Sequence, residues 1–380
     1  MRVVVAPDKF KGSVTARQVA DALAAGLRRG RPDLDVVQIP VADGGDGTVA
    51  AALAAGFAPR HVLAEGPVGR PVDTTFAVRA GTAVIELADV AGLRRLPAEQ
   101  GAHELAPLTA STYGAGEVIA AALDGAARTI VLGLGGSATT DGGAGMVQAH
   151  GARLTDEHGH DLARGGAALL DLAAIGVAGL DKRITMARLL AASDVDNPLL
   201  GPAGAAAVFG PQKGASPADV ALLERALARW AALTATATGR ELSAAPGAGA
   251  AGGAGFAAMA YLGARLVPGA DLVLDLIGFD AALTGAGLVI TGEGSLDDQS
   301  LGGKAPVGVA RAAARHGVPV IAVAGRVSLT PDELPAAGFS EAYSLADLEP
   351  DPAVSITNAA ELLERTGELV ARGRLVSQLT

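Results

Sequence analysis

Apolar positions along this chain fall into short runs and spaced faces that predict strands and helices in alternation. Residues 3–5 (Val-Val-Val) read as a strand, and Thr15-Ala16-Arg17-Gln18 has the spacing of a helix capping box. Val19, Leu23 and Leu27 then share one face and Gly30 marks the stop. Residues 36–41 supply the next strand, which makes a βαβ unit and therefore a parallel sheet whose strand ends gather loops. Between 73 and 87 the pattern changes to alternating β-rich residues around Ala80-Gly81, a hairpin signal that predicts a mixed-sheet module from there. Residues 128–134 and 184–192 are again strands leading into polar loops. Ser216-Pro217 opens an amphipathic helix carrying Val220, Leu223, Leu227 and Trp230. A second clear βαβ unit comprises 288–291, a helix over 306–316 and 318–323, and a closing helix is expected over 357–372.

The two ends of the chain resemble each other and the middle differs from both. The fold class this implies is α/β with two domains: a Rossmann-like parallel-sheet domain from residues 1–65 and 285–380, with a second, mixed α/β domain inserted at 66–284. A length of 380 residues agrees with more than one core. Half of the residues are hydrophobic and only 18% charged, which excludes global disorder. Aromatics are 3% while Gly alone numbers 52, so helices should pack closely through small side chains. A net charge of −10 argues against a sequence-independent nucleic-acid binder. Cysteine is absent, which removes disulfides and thiolate metal sites. Lys9 and Lys11 interrupt the apolar start, so no secretory signal is expected and the cytoplasm is the expected compartment. The uncharged run 242–264 contains Pro246 and six glycines, and it predicts a loop plus a buried helix in place of a membrane span.

Five stretches carry candidate chemistry. In Ala6-Pro7-Asp8-Lys9-Phe10-Lys11-Gly12-Ser13, helix-start amides, Lys9, Lys11 and the Ser13 hydroxyl suit a small anion, against the bland reading of a solvated turn. Ala42-Asp43-Gly44-Gly45-Asp46-Gly47-Thr48 sets two carboxylates among three glycines after a strand, where they can hold a cation or orient a hydroxyl, against the alternatives of a calcium-like loop or a plain turn. Residues 133–143, Gly-Leu-Gly-Gly-Ser-Ala-Thr-Thr-Asp-Gly-Gly, hold five glycines and three hydroxyls between a strand and a helix, which makes them the strongest phosphate cradle in the chain, with tight helix-on-strand packing as the weaker alternative. They form neither a Walker A loop nor a dinucleotide fingerprint, and the one Gly-x-Gly-x-x-Gly, from Gly247 to Gly252, lies in an expected Ala/Gly helix. Ser193-Asp194-Val195-Asp196-Asn197-Pro198, followed by Gly210-Pro211-Gln212-Lys213-Gly214, places paired carboxylates at a strand end. Thr291-Gly292-Glu293-Gly294-Ser295-Leu296-Asp297, with Gln299-Ser300 and Lys304, offers carboxylates and a lysine before the last βαβ helix. His158 and His160 sit in a turn and are expected to face solvent.

Together these motifs resemble the type I bacterial glycerate kinase family, whose order is Ala-Pro-Asp-x-Phe-Lys-Gly-Ser, Ala-Asp-Gly-Gly-Asp/Glu-Gly-Thr, Gly-Gly-Ser-Ala-Thr-Asn-Asp-Gly-Gly, Asp-Val-Asp-Asn-Pro-Leu and Thr-Gly-Glu-Gly. Thr140 stands where the family usually has Asn. The resemblance implies ATP-dependent phosphorylation of D-glycerate, usually at the 2-hydroxyl, by two α/β domains with the site in a cleft between them. The chemistry would need positioning, magnesium and an oriented hydroxyl, with no covalent residue. On that basis Asp194, Glu293 and Lys304 are the catalytic candidates and Asp194 and Asp196 the magnesium ligands. Lys9, Lys11, Ser13, Asp43 and Asp46 are assigned to substrate, and Gly133, Gly135, Gly136, Ser137, Thr139 and Asp141 to the nucleotide. Two other readings stay open: a non-catalytic nucleotide or sugar-phosphate sensor, and a kinase of the galactokinase and homoserine kinase superfamily.

Overall fold

The computed structural model describes residues 1–99, 102–298 and 300–377; Gln299 of the fifth motif lies outside them. The strands of the two main sheets are, in chain order, β1 (Arg2–Val5), β2 (Asp35–Gln38), β3 (Ala58–Glu65), β4 (Pro71–Arg79), β5 (Thr82–Glu86), β6 (Thr129–Gly133), β7 (Arg188–Ala192), β8 (Arg265–Val267), β9 (Ala286–Leu296), β10 (Val320–Val327) and β11 (Glu341–Ser344). Helices used below are α1 (Ala16–Gly30), α2 (Thr48–Ala54), α3 (Tyr113–Asp124), α4 (Ala144–Ala149), α5 (Pro217–Thr238), α6 (Ala250–Tyr261), α7 (Gly269–Ile277), α8 (Ala305–Arg315) and α9 (Ala359–Ser377). The chain divides into two compact units, 1–43 with 50–55 and 268–380, and 44–49 with 56–267.

The first unit is built on a parallel sheet in the order β11-β10-β9-β1-β2. Period-two alternation buries both faces. Val3, Val5, Leu288 and Ile290 pack with α1 and α9 on one side, while Val4, Val289 and Ala322 pack with α8 on the other. The expected capping box on α1 is present, Thr15 Oγ1 accepting from Gln18 N and Gln18 Oε1 from Thr15 N. Small residues do let helices approach closely: a Cβ on Gly26 would lie 1.9 Å from the Glu364 carbonyl oxygen of α9. The α1 connection leads from β1 outward to β2, and the α8 connection leads from β9 the opposite way to β10. The boundary between β1 and β9 is therefore the point where strand order reverses, and in open α/β sheets ligands bind there, beyond the strands' carboxyl ends.

The second unit has a mixed six-stranded sheet in the order β8-β7-β6-β5-β4-β3, parallel from β5 to β8 and antiparallel from β3 to β5. Ala80 and Gly81 both take positive φ, as a two-residue hairpin turn with right-handed strand twist requires. The antiparallel part starts at β3, upstream of the expected residue 73, because β3 pairs with β4 along its whole length. The expected strand over 184–192 begins only at Arg188; Lys182–Met186 form a 3₁₀ turn capped by Asp181. Ala251, Gly252 and Gly253 have positive φ, so the Gly-x-Gly-x-x-Gly stretch is a left-handed kink at the start of α6 and not a regular helix. No helix among the described residues is long and apolar enough to cross a membrane.

Candidate active site

In the second unit, β6 ends at Gly133 and its glycine loop runs to the start of α4. The glycines are explained first by packing. A Cβ on Gly133 would meet the Gly44 carbonyl oxygen at 2.6 Å, one on Gly135 the Gly45 Cα at 2.7 Å, and one on Gly142 the Trp230 ring at 2.6 Å. The two glycine-rich motifs therefore touch backbone to backbone, and only Gly135 and Gly136 form an exposed lip where an oxyanion could meet the loop. Gly136 has φ +78°.

Beneath that lip the polar groups are internal. Asp141 is fully buried: Oδ2 accepts from Thr112 N (2.8 Å), Thr112 Oγ1 (2.8 Å) and Gly145 N (3.2 Å), and Oδ1 from Gly143 N (3.1 Å). Burial pushes its carboxyl up, while the Thr112 and glycine donors pull it back. Its oxygens tie the start of α3 to the start of α4, so the carboxylate holds the loop's shape from inside. Lys213, also buried, donates to Ser137 Oγ (3.0 Å) and the Thr139 carbonyl (2.6 Å). Burial pushes its ammonium down to about 7, with Asp141 opposing. Thr139 and Thr140 are buried and their hydroxyls have no hydrogen-bond partner. The sequence assigns Lys213 no role; its only local signal is a lone lysine between Pro211 and Gly214.

The second glycine motif is held from below by Glu86 at the end of β5. Its Oε1 accepts from Gly47 N (3.1 Å) and Val49 N (2.6 Å), fixing the first turn of α2, and burial raises its carboxyl to about 7. Arg94 pairs with Asp46, Asp89 and, at 3.5 Å, Glu86. Asp46 is thus part of an ion-pair network. Asp194 and Asp196 follow β7, whose Ala192 lies opposite Gly133 and accepts from Leu134 N, so the acidic pair begins beside the glycine loop. Asp194 is half-buried and Asp196 exposed.

In the first unit, the segment after β1 runs along β9: Asp8 N donates to the Gly292 carbonyl (2.8 Å) and Thr291 Oγ1 to the Ala6 carbonyl (2.8 Å). Asp8 and Glu293 are therefore neighbours across the point of strand reversal, and Asp43 follows the adjacent β2. Asp8 Oδ1 accepts from Lys9 N (2.6 Å), and Lys9 Nζ stands 3.5 Å away. Burial pushes the Asp8 carboxyl up to about 7; Lys9 opposes this, and Asp43 and Glu293 add to it. Lys304 Nζ lies 3.3 Å from Glu293 Oε2, whereas Oε1 is buried without a hydrogen-bond partner. Burial also raises Glu293, against Ser300 and Lys304. Lys11 is exposed, and so is Ser13, whose hydroxyl donates to the Ile356 carbonyl (2.7 Å). The structure thus gathers Lys9, Asp43, Glu293 and Lys304 near Asp8, which the sequence reading passed over for its lysine neighbours.

The model of the glycerate kinase family matches residues 3–374. A Bacillus subtilis protein named glycerate kinase is 42% identical over 98% of this chain and 97% of its own length. An Escherichia coli K12 protein named glycerate 2-kinase is 45% identical over 87% of this chain and 86% of its own. A solved structure from Salmonella typhimurium LT2, named provisionally as glycerate kinase 2, superposes with a TM-score of 0.85 at 42% identity over the full length of both chains. The resemblance carried by the five motifs is thereby shown: the chain belongs to the glycerate kinase family and is an enzyme of the kinase class.

Proposed function

We propose that this enzyme phosphorylates D-glycerate on its 2-hydroxyl with ATP as donor and magnesium as the accompanying ion, in the cytoplasm. Family membership across residues 3–374 carries the reading, and the relative named glycerate 2-kinase favours the 2-hydroxyl. The loops divide the work. The Gly135-Gly136 lip, kept in shape by Asp141 and Lys213, receives nucleotide phosphates through backbone amides. Lys9 and Lys11 attract the glycerate carboxylate, and Asp43 lies beside them after β2. Lys304 and Glu293 flank the transferred group, the lysine offsetting phosphoryl charge.

Asp194 and Asp196 fit magnesium by donor chemistry, since both are hard oxygen ligands at one strand end. Among the described residues no group of three His, Cys, Asp or Glu forms a metal cage. When bound, magnesium would neutralise charge on the phosphates. The test is ADP release with ATP, magnesium and a panel of D-glycerate, L-glycerate, homoserine and galactose. Turnover restricted to D-glycerate supports the reading. No ADP with any acceptor would return the chain to a nucleotide sensor, and turnover of homoserine or galactose would replace the acceptor assignment.

A further inference from the structure

Phosphoryl transfer to an alcohol leaves one proton to be removed, and the acceptor side of this enzyme holds three carboxylates: Asp8, Asp43 and Glu293. Their surroundings differ. Glu293 has Lys304 Nζ 3.3 Å from its Oε2, so a cation already neighbours that oxygen. Asp43 is half-exposed. Asp8 is 5% exposed and lies just beyond the end of β1, where the strand order reverses and ligands are received in open α/β sheets. Its backbone is fixed to β9 through Gly292, its Oδ1 is fixed by Lys9 N, and Glu293, with one buried oxygen unpartnered, is the next residue along β9. A buried oxygen without a donor in a region this rigid is a place that a hydroxyl ligand would satisfy.

We propose that Asp8 is the catalytic base of the transfer. On the reading given above, the acceptor hydroxyl oxygen bonds to the γ-phosphorus of ATP as the bond from that phosphorus to the ADP oxygen breaks, and the hydroxyl proton passes to the Asp8 carboxylate and later to water. Glu293 and Asp43 orient the hydroxyls and, by their own negative charge, keep Asp8 basic. Lys9 limits that effect and Lys304 counters Glu293. A base poised near the working pH gains most from such tuning, and burial sets Asp8 at about 7.

The test compares wild type, Asp8→Asn and Asp8→Glu in steady-state transfer from ATP to D-glycerate between pH 5.5 and 9, with a melting curve for each. Asparagine keeps an acceptor for Lys9 N, so the turn survives. Removing a buried charge predicts that Asp8→Asn melts no lower than wild type at pH 8. The expected result is a fall in kcat of at least about 100-fold with KM for glycerate nearly unchanged, as loss of a general base implies. The acid limb of the wild-type profile, with its inflection near 7, should be absent from the residual rate of Asp8→Asn. Asp8→Glu should recover part of the rate with a displaced inflection. Wild-type kcat in Asp8→Asn, or an acid limb that survives unchanged in either variant, overturns the assignment and leaves the functional reading standing. A wild-type enzyme that transfers to no acceptor overturns both.

Discussion

Asp141 offers the sharpest test of how the glycine loop after β6 is held. In Asp141→Asn the amide oxygen can take the place of Oδ2 and keep Thr112 N, Thr112 Oγ1 and Gly145 N. The amide NH₂ then stands at the place of Oδ1, facing the Gly143 N–H that now donates across 3.1 Å. One buried donor is left unsatisfied, which costs about 1–3 kcal/mol, and Lys213 loses its counter-charge. Asp141→Ala strands all four donors and the lysine, and removing one partner of a buried charged network costs about 3–5 kcal/mol. That is a large part of an ordinary domain's stability. Trp230, the only tryptophan, donates to the Gly142 carbonyl at 3.0 Å and reports on this region directly. Urea unfolding followed by its fluorescence should rank wild type above Asn above Ala, and both variants should bind ATP less tightly in proportion. Equal stability of Asp141→Asn and wild type would refute the internal role and place the carboxylate on the ligand.

Asp194→Asn should lower kcat by at least about 100-fold without loss of melting temperature. The exposed Asp196 should give a milder loss, and wild-type turnover in both across a magnesium titration would remove the pair from the reaction. Gly136→Val forces a branched residue to φ +78° with its Cβ 3.1 Å from Ala88 Cβ, so about 1–2 kcal/mol should be lost and KM for ATP should rise; unchanged KM would make the glycine a packing device only. Glu86 has its folded-state carboxyl above the ordinary 4.5, at about 7. The folded protein therefore holds the extra proton in that window, and stability from this group is lost as pH rises through it. Glu86→Gln should match wild type near pH 4 and gain on it, by at most about 3 kcal/mol, toward pH 8. A pH-independent difference would sink that argument.

Local chemistry was readable from the sequence where it is decided within a few residues. The Thr15–Gln18 capping box, the Ala80-Gly81 turn and the Ser216-Pro217 helix start all appear as expected, because each depends on neighbours in the chain. The strand ends before the loops of Gly133 and Asp194 were legible for the same reason, whereas Glu293, expected on a loop after Thr291, lies inside β9, which pairs with β10 as far as Leu296. The meaning of the glycines was not legible. Their density suggested open space for phosphate, yet Gly133 and Gly135 are small because Gly44 and Gly45 press on them, a contact between distant segments that spacing cannot express. Lys213 and Glu86 were missed likewise: one reaches under a loop formed far earlier in the chain, the other supports a helix start from a neighbouring strand. Asp8 carries no role in the sequence, since its burial comes from pairing with β9 near the far end of the chain.

The central claim is the transfer itself, and phosphorus NMR of the products from ATP, magnesium and D-glycerate tests it most directly. The account predicts ADP and 2-phosphoglycerate in equal amounts, with no product from the same mixture lacking glycerate. A 3-phosphoglycerate signal would contradict the assigned hydroxyl, and ADP accompanied only by inorganic phosphate would contradict the reaction.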